Sequence, residues 1–346
     1  MSAIPPVTQR DVAQACGLHP STVCLALKNS PSIPVETRRR IQAVAEELGY
    51  HPNIAARNLA LLRTERKAGG SLPIAWINQE PRRDHWHVDP EARLYFDGAR
   101  RRVAELGYHL EEIWTKEPGM NAARVVQIIR ARGLEGVIFP VHRSFDFALL
   151  NPAWGDFALV GINDHRLGEW IDVVCPDYYR NTDQALRRLR RLGFDRIGIV
   201  LTPQFDASTS GLAHGCYLRH QGDIAPGERL PVCLAPENPE QMRSAFAAWF
   251  REHRPEVVLG RDRALGAWAR AAEIGTTWVQ LHGALEPLDA GIDEGAAEVA
   301  GAAVDCVVDK MRRFERGLRE STRLHLIKGS WQERGLAQRE VETAVA

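Results

Sequence analysis

The sequence has no apolar run approaching the roughly 20 residues that a membrane-spanning helix needs. Its first residues also lack the basic, apolar and small-residue order of a signal peptide. A bilayer protein and an exported protein are therefore not expected. The six cysteines, at positions 16, 24, 175, 216, 233 and 306, form no CxxC pair. Neither a thiolate metal knuckle nor a disulfide framework is expected from them, and buried thiols in a reducing compartment are. There is no Walker loop, no GxGxxG turn, no GxSxG elbow and no paired arrangement of carboxylates. An enzyme, a cofactor and a metal are accordingly not expected. Net charge is absent too, with 44 basic and 44 acidic residues.

That neutrality hides an asymmetry. Residues 1–68 hold nine Lys and Arg against five Asp and Glu, a surplus of four positive charges that the remainder cancels. A basic start on an acidic body fits a chain whose first part alone meets a polyanion. The same part carries a helix pattern. Thr8 is a good N-cap and Asp11 lies at the third helical position, where its charge suits the helix N-terminus. Val12, Ala15 and Cys16 are spaced to bury one face. Gly17 can take the left-handed conformation that ends a helix. Pro20 then suits the first turn of a second helix, just after His19. Val23 and Leu27 face inward, which leaves Pro20, Ser21, Thr22 and Leu25 outward. A third helix starting at Ser32 or Pro34 has Ile41, Val44, Ala45 and Leu48 as its inner stripe and closes at Gly49. Arg38, Arg39 and Arg40 form a basic run near its start, read either as a solvated face or as a phosphate contact.

Two short helices around a glycine turn form a unit that fits the DNA major groove. The positions Thr8, Asp11, Val12, Ala13, Gly17, Thr22, Val23, Ala26, Leu27, Asn29, Thr37, Arg38, Leu48, Gly49, Tyr50, Pro52, Asn53, Ala56, Arg57 and Leu59 resemble the lac-repressor/galactose-repressor (LacI/GalR) family of bacterial transcription regulators. The resemblance implies DNA contacts from Thr8, Gln9, His19, Pro20, Ser21, Thr22, Leu25, Lys28, Asn29, Thr37, Arg38, Tyr50, Asn53, Ala56, Arg57 and Leu59. It also implies a hinge helix over Pro52–Ala60, with Leu59 as an apolar wedge that unstacks a minor-groove base step; simple packing is the other reading of Leu59. His19, Cys24 and Leu25 depart from the family, which favours Ser, Ser and Arg there. Without that Arg, bidentate guanine recognition is lost and contact with a thymine methyl becomes available. The operator should therefore differ from the usual one, or DNA binding should be weak.

The rest of the chain is long enough for two lobes. After Lys67-Ala68-Gly69-Gly70-Ser71, apolar runs alternate with amphipathic stretches. Strands are expected at Pro73–Asn78, His109–Trp114, Val137–Phe139, Ala158–Ile162, Arg196–Leu201, Val257–Gly260 and Val279–Leu281. Helices are expected at Glu91–Leu106 (with Leu94, Ala99 and Val103 inward), Ala122–Ala131, Tyr178–Leu192, Gln241–His253 and Ala264–Ile274. This alternation predicts parallel sheets covered on both faces. Three helices end alike, at Leu48-Gly49-Tyr50, Leu106-Gly107-Tyr108 and Leu192-Gly193-Phe194, which is a C-cap signature.

Phe96-Asp97-Gly98-Ala99, Leu192 through Gly198, Gly215, Asp262, Leu265, Gly266 and Gly329-Ser330-Trp331 resemble the family's effector-binding core, similar to periplasmic sugar-binding proteins. The implied fold is a small all-α helix-turn-helix head plus an α/β core of two doubly wound parallel-sheet lobes. The implied spans are a head at 1–50, a hinge and linker at 51–71, a core at 72–335 and a tail at 336–346. Lobe 1 takes about 72–164 plus 289–318, and lobe 2 about 165–288 plus 319–335.

Ligands of such cores sit between the lobes, at the carboxyl ends of strands. Asn78, Phe96, Trp114, His142, Asn163 and Asp164 are candidates from the first lobe, and Phe205, Ser208, Leu212 and Asp262 from the second; each also has a purely structural reading. Sugar-binding relatives carry an Arg where Leu212 stands and an Asn where Arg261 stands. They also have a Gly-Phe-Asp-Asp loop where this chain has Leu281-His282-Gly283-Ala284. A standard monosaccharide effector is not expected on those grounds. The polar, aromatic loop Pro81–His87 reads as a lid, a partner surface or a solvated loop, and His85 with His87 lack a third metal ligand.

The function implied is a cytoplasmic, nucleoid-associated regulator, a repressor, that binds double-stranded pseudo-palindromic operator DNA as a homodimer. A small molecule, carbohydrate-related among the candidates, would act through the cleft. Two alternatives stay open: a DNA-binding protein with a non-functional pocket, and a small-molecule binding protein or enzyme. Gln338–Ala346 is short and has no leucine heptad, so a tetramer-forming tail is not expected.

Overall fold

The computed structural model describes residues 7–27, 33–50, 71–141, 145–281 and 290–332. The head contains α1 (Gln9–Cys16), α2 (Pro20–Leu27) and α3 (Val35–Glu47). A capping box opens α1: the Thr8 hydroxyl accepts from the Asp11 N–H, and the Asp11 carboxylate accepts from the Thr8 N–H at 2.7 Å. Hydrogen bonds from the Thr8 side chain and backbone hold the Asp11 carboxyl below its usual range. Gly17 ends α1 with φ +65°, a conformation that costs a glycine little.

Val12, Ala13, Val23, Ala26, Ile41 and Ala45 form the buried centre of the head. The expected inner stripe is corrected at two places. Ala13 is buried and Ala15 is exposed, because α2 and α3 meet α1 on the face centred at Val12–Ala13. Leu48 is exposed, since it lies past the last turn of α3, where the chain turns away at Gly49. Leu27 and Val44 are half-buried.

The first lobe is built from β1 (Leu72–Asn78), α4 (His85–Val88), α5 (Pro90–Glu105), β2 (Tyr108–Trp114), α6 (Ala122–Ala131), β3 (Gly136–Pro140), β4 (Ala158–Ile162) and β5 (Asp172–Pro176). The second contains α7 (Tyr178–Arg191), β6 (Ile197–Leu201), α8 (Pro203–Ser208), α9 (Leu212–Gly222), β7 (Cys233–Leu234), α10 (Pro239–His253), β8 (Val257–Gly260), α11 (Arg263–Ala271), β9 (Thr277–Gln280) and β10 (Gly291–Asp293). The chain then returns to the first lobe with α12 (Ala296–Arg313) and β11 (Leu324–Ile327), and ends its described part in the second with β12 (Ser330–Gln332).

The strand order is β11-β5-β4-β3-β1-β2 in the first sheet and β12-β10-β9-β8-β6-β7 in the second. All pairings are parallel except β10 with β12. Leaving aside β11 and β12, both sheets thus follow one doubly wound pattern, in which the chain reverses direction at the first strand of the lobe. Side-chain alternation splits β1 between two cores: Ile74 and Trp76 pack with α5 and α12, while Ala75 and Ile77 join the opposite face with α6. Helices on both faces explain why the central strands read as unbroken apolar runs. At Gly98, α5 and α12 come so close that a Cβ would lie 2.5 Å from the Ala297 Cα.

Sheet membership moves the expected lobe boundaries. Asp172–Pro176 and Leu324–Ile327 are strands of the first sheet, and Gly291–Asp293 belongs to the second. The chain therefore crosses between lobes after β5, after β10 and after β11, each later in sequence or at another place than expected. The strands β5, β7 and β10 to β12 escape sequence reading because each is short and none was marked off as an apolar run between helix patterns. Leu94, expected inward, is exposed; Ala92, Tyr95, Phe96, Ala99 and Val103 form the inner face of α5 instead. The three Leu-Gly-aromatic helix ends have Gly49, Gly107 and Gly193 at positive φ.

One charge pair lies inside the first lobe. The Lys310 ammonium donates to the Asp172 carboxylate at 2.7 Å, and both side chains are almost wholly buried. Burial works against the Asp172 charge, but the bonds from Lys310 and the Arg323 N–H win and lower its pKa.

Candidate nucleic-acid interface and interlobe cleft

The residues expected to touch DNA divide into groups that cap helices and groups left on the surface. His19 takes the N-cap position of α2: its carbonyl accepts from Thr22 and Val23, and its Nδ1 accepts from the Ser21 N–H at 3.3 Å. The Ser21 hydroxyl lies 2.7 Å from the same nitrogen. The imidazole thus does the capping job that the expected Ser would do. Leu25 and Ser21 are exposed on α2, with Pro20 and Thr22 half-buried beside them. Gln9 hydrogen-bonds the Tyr50 side chain, whose phenol burial pushes upward. Thr37 and Arg38 are half-buried at the start of α3. Of the basic run, Arg40 donates to the Cys16 carbonyl at 3.3 Å, so this guanidinium closes the end of α1. Lys28, Asn29, Asn53, Ala56, Arg57 and Leu59 lie outside the described residues, as does the hinge.

In the core, the doubly wound order places a crevice at the carboxyl ends of β1 and β3 in one lobe and β6 and β8 in the other. Several of the expected cleft residues turn out to be satisfied within the protein. Asn78 ends β1 and is fully engaged: its Nδ2 donates to the Arg83 carbonyl and to Glu112, and its Oδ1 accepts from the Glu80 N–H. Phe96 stacks edge-on against Trp76 and His87 in the lobe core. Trp114 donates to the Glu80 carbonyl at 2.9 Å. Asp164 is buried and holds Arg166 in a two-pronged pair while capping the turn that follows. Ser208 donates to the Phe205 carbonyl, Leu212 packs against the central core, and Asp262 caps α11 through the Leu265 N–H. His142 is outside the described residues.

The groups that meet across the cleft are largely ones the sequence did not single out. Arg261, directly after β8, donates to the Glu91 carboxylate at 3.0 Å, joining the second lobe to the start of α5 in the first. Its guanidinium also lies over the Phe205 ring, 5.1 Å from the centroid. Gln280 donates to the Arg261 carbonyl and fixes the turn. Glu294, buried just past β10, accepts from the Tyr95 hydroxyl at 2.5 Å. Burial acts to lower the Arg261 pKa, yet Glu91 and Glu294 outweigh it and raise it further. Tyr178 is pushed well up by burial and by Glu294, and its ring meets Phe205 edge-on at 5.5 Å and His165 at 5.8 Å.

The result is a chain of contacts from His165 through Tyr178 and Phe205 to Arg261 and Glu91. Beside it, a hollow of about 460 Å³ opens between α5 and α11, lined by Asp89, Glu91, Arg263, Arg270, Trp278 and Gln280 among others. On the first-lobe wall, Gln79 Nε2, Asn163 Oδ1 and His165 Nε2 are buried without hydrogen-bond partners among the described residues. Asn163 has φ +68°, and burial lowers the His165 pKa against the pull of Asp164. Buried unpaired polar atoms at strand ends are what a ligand with hydroxyl groups would satisfy. The sequence signal available was Arg261 itself, standing where sugar-binding relatives carry an Asn.

The expected polar loop holds α4. His85 and Trp86 are buried there, while His87 is half-exposed and bonds Glu112 at 2.8 Å, so the two imidazoles have different partners. Two groups of Asp, Cys and His come within 4.8 Å, Asp172–Cys306–His325 and Asp183–Cys216–His220. Lys310 occupies the first, and Arg187, Arg219 and His220 already hold Asp183 in the second. All six cysteines are free, and burial pushes Cys216 and Cys233 up to about 12.

The architecture is a helix-turn-helix head in sequence before a core of two doubly wound parallel-sheet lobes. Residues 8–53, the head, match the family described as Bacterial regulatory proteins, lacI family. The HTH-type transcriptional regulator MalR of Streptococcus pneumoniae is 30% identical over 195 residues, 56% of this chain and 57% of that relative; the chain thus spans little more than half of its length. Among solved structures, the transcriptional regulator CelR–cellobiose complex has a TM-score of 0.57 at 15% identity, covering 95% of this chain and 99% of that one. The lac repressor dimer bound to operator and the anti-inducer ONPF has a TM-score of 0.57 at 18% identity, covering 96% of this chain and all of that one. These likenesses establish the LacI-like fold. No helix among the described residues is long and apolar enough to cross a membrane.

Proposed function

We propose that the protein is a sequence-specific DNA-binding transcription regulator, a repressor, that grips a pseudo-palindromic operator as a homodimer in the cytoplasm. The head carries this reading: its lacI-family match coincides with an α2 that presents Ser21 and Leu25 on its exposed face, where they would meet base edges. Residues 1–50 act as the head, 51–71 as hinge and linker, and 336–346 as a tail. Lys28, Asn29, Thr37 and Arg38 contact phosphates and sugars, and Asn53, Ala56, Arg57 and Leu59 the minor groove. The protein has no catalytic role. Fluorescence anisotropy on the DNA upstream of its own coding region, at moderate salt, tests this. Saturable binding that survives excess random duplex is expected, and equal affinity for both duplexes would refute it.

The effector proposed is a hydroxyl-rich molecule held in the cleft. Arg261 and Glu91 offer the guanidinium and carboxylate that fork onto neighbouring hydroxyls. They replace the Arg and Asp that family sugar sites take from other elements. A second reading rests on the same pair: since Arg261 and Glu91 bond each other, the cleft is held shut by its own clasp and takes no effector. A thermal-shift panel of sugars and polyols, on wild type and on Glu91→Gln, separates the two. A shift in wild type supports the effector reading, and none in either protein supports the clasp.

A further inference from the structure

A second hollow, of about 560 Å³, lies away from the cleft between α7 and the last described strands. Arg180, Arg187, Arg188, Arg191 and Lys328 line it together with Asp183, Gln184 and Trp331. Five cations thus face one acid. Arg180 and Arg187 are drawn toward Asp177 and Asp183, at 3.5 and 2.8 Å. Arg191 and Lys328 are exposed and have no ion-pair partner among the described residues. Two polar atoms of lining residues, Gln184 Oε1 and Trp331 Nε1, are buried beneath this surface without hydrogen-bond partners among the described residues. A solvated basic face explains the arginines, but it does not explain a concavity on which five cations converge.

We infer that this hollow binds a small metabolite carrying at least two phosphate groups. Guanidinium forks match phosphate oxygens two at a time, and the ammonium adds a point charge. The volume falls in the range of small-molecule sites. The position gives such a ligand a lever. Lys328 lies between β11 of the first sheet and β12 of the second, and α7 begins just after the other crossing at β5. The neighbouring Gly329 is clamped, its N–H donating to Asn181 at 2.9 Å. A phosphate drawing Lys328 toward α7 therefore acts on two of the crossings that set the angle between lobes.

The test is calorimetric titration of the full chain with inorganic pyrophosphate, sulfate being added to match ionic strength. One saturable site per chain is expected. It should weaken by at least roughly tenfold in the Arg191→Gln/Lys328→Gln double variant, which loses two charge-assisted bonds. Both side chains are exposed, so the variant should melt as wild type does. The head variant Arg39→Gln/Arg40→Gln should bind as wild type. Three results would overturn the inference: no saturable binding, loss in the head variant instead, or binding only after deletion of residues 333–346. The last would assign the hollow to the chain's own C-terminal acids.

Discussion

The head and the cleft concentrate chemistry in opposite ways. In the head, groups that act together are neighbours in sequence: Thr8 with Asp11, and His19 with Ser21. In the cleft, Arg261 and Glu91 stand 170 positions apart, and Tyr95 and Glu294 stand 199 apart. A head of this kind can be recognised from spacing, because capping and helix periodicity are local rules. A cleft assembled from strand ends takes its partners from the topology. The two regions also differ in how much packing supports them: six buried side chains centre the head among the described residues, whereas each sheet of the core is packed on both faces, one of these cores running through both lobes.

Four changes probe that difference. The largest effect is expected from Asp172→Ala, which strands the Lys310 ammonium inside the first lobe. Removing one partner of a buried pair costs about 3–5 kcal/mol, and the core transition in urea should fall accordingly while the head's helices keep their signal. The pair also gives a pH dependence. Because the folded Asp172 pKa is lowered, its contribution is full above the unfolded carboxylate value and fades as pH falls through the folded one. Stability of wild type should therefore drop in acid, and that part of the drop should vanish in Asp172→Asn.

Val12→Ala is next. Losing two buried methyl groups costs about 2 kcal/mol, a large share of what so small a centre can supply. DNA binding should collapse while the core melts as before; a core that shifted instead would deny the independence of the two regions. Thr8→Ala removes the capping hydroxyl and should cost about 1 kcal/mol of head stability, read as weaker binding at raised temperature. The smallest effect concerns the clasp. A double-mutant cycle of Arg261→Gln and Glu91→Gln should give a coupling of about 0.5–1 kcal/mol in core stability, since both groups are partly open to water. No coupling would leave the two lobes without this link.

The sequence carried different parts of the molecule unequally. Helices were legible from their period and central strands from unbroken apolar runs, and Ala122–Ala131, Ala158–Ile162 and Val257–Gly260 fall where those signals put them. β5 was missed although all five of its residues are buried, because a short run opening on Asp172 resembles a loop until Lys310 answers the charge. That omission displaced a lobe boundary. At the cleft, polar residues after strands were the right kind to consider, but Asn78 and Asp164 serve the loops beside them. Arg261 was visible only as a departure from relatives. Its partner Glu91 had no local signal, since a Glu in the first turn of a helix is ordinary.

The central claim is that an imidazole-capped, leucine-bearing recognition helix still reads DNA sequence. Selection of bound sites from random duplexes, using the full-length protein, tests it most directly. The account predicts enrichment of a two-fold symmetric site with a flexible central step, where Leu59 would insert, and with thymine methyls in place of the guanine an Arg would read. Recovery of no sequence above the starting pool, despite retained duplex binding, would contradict it.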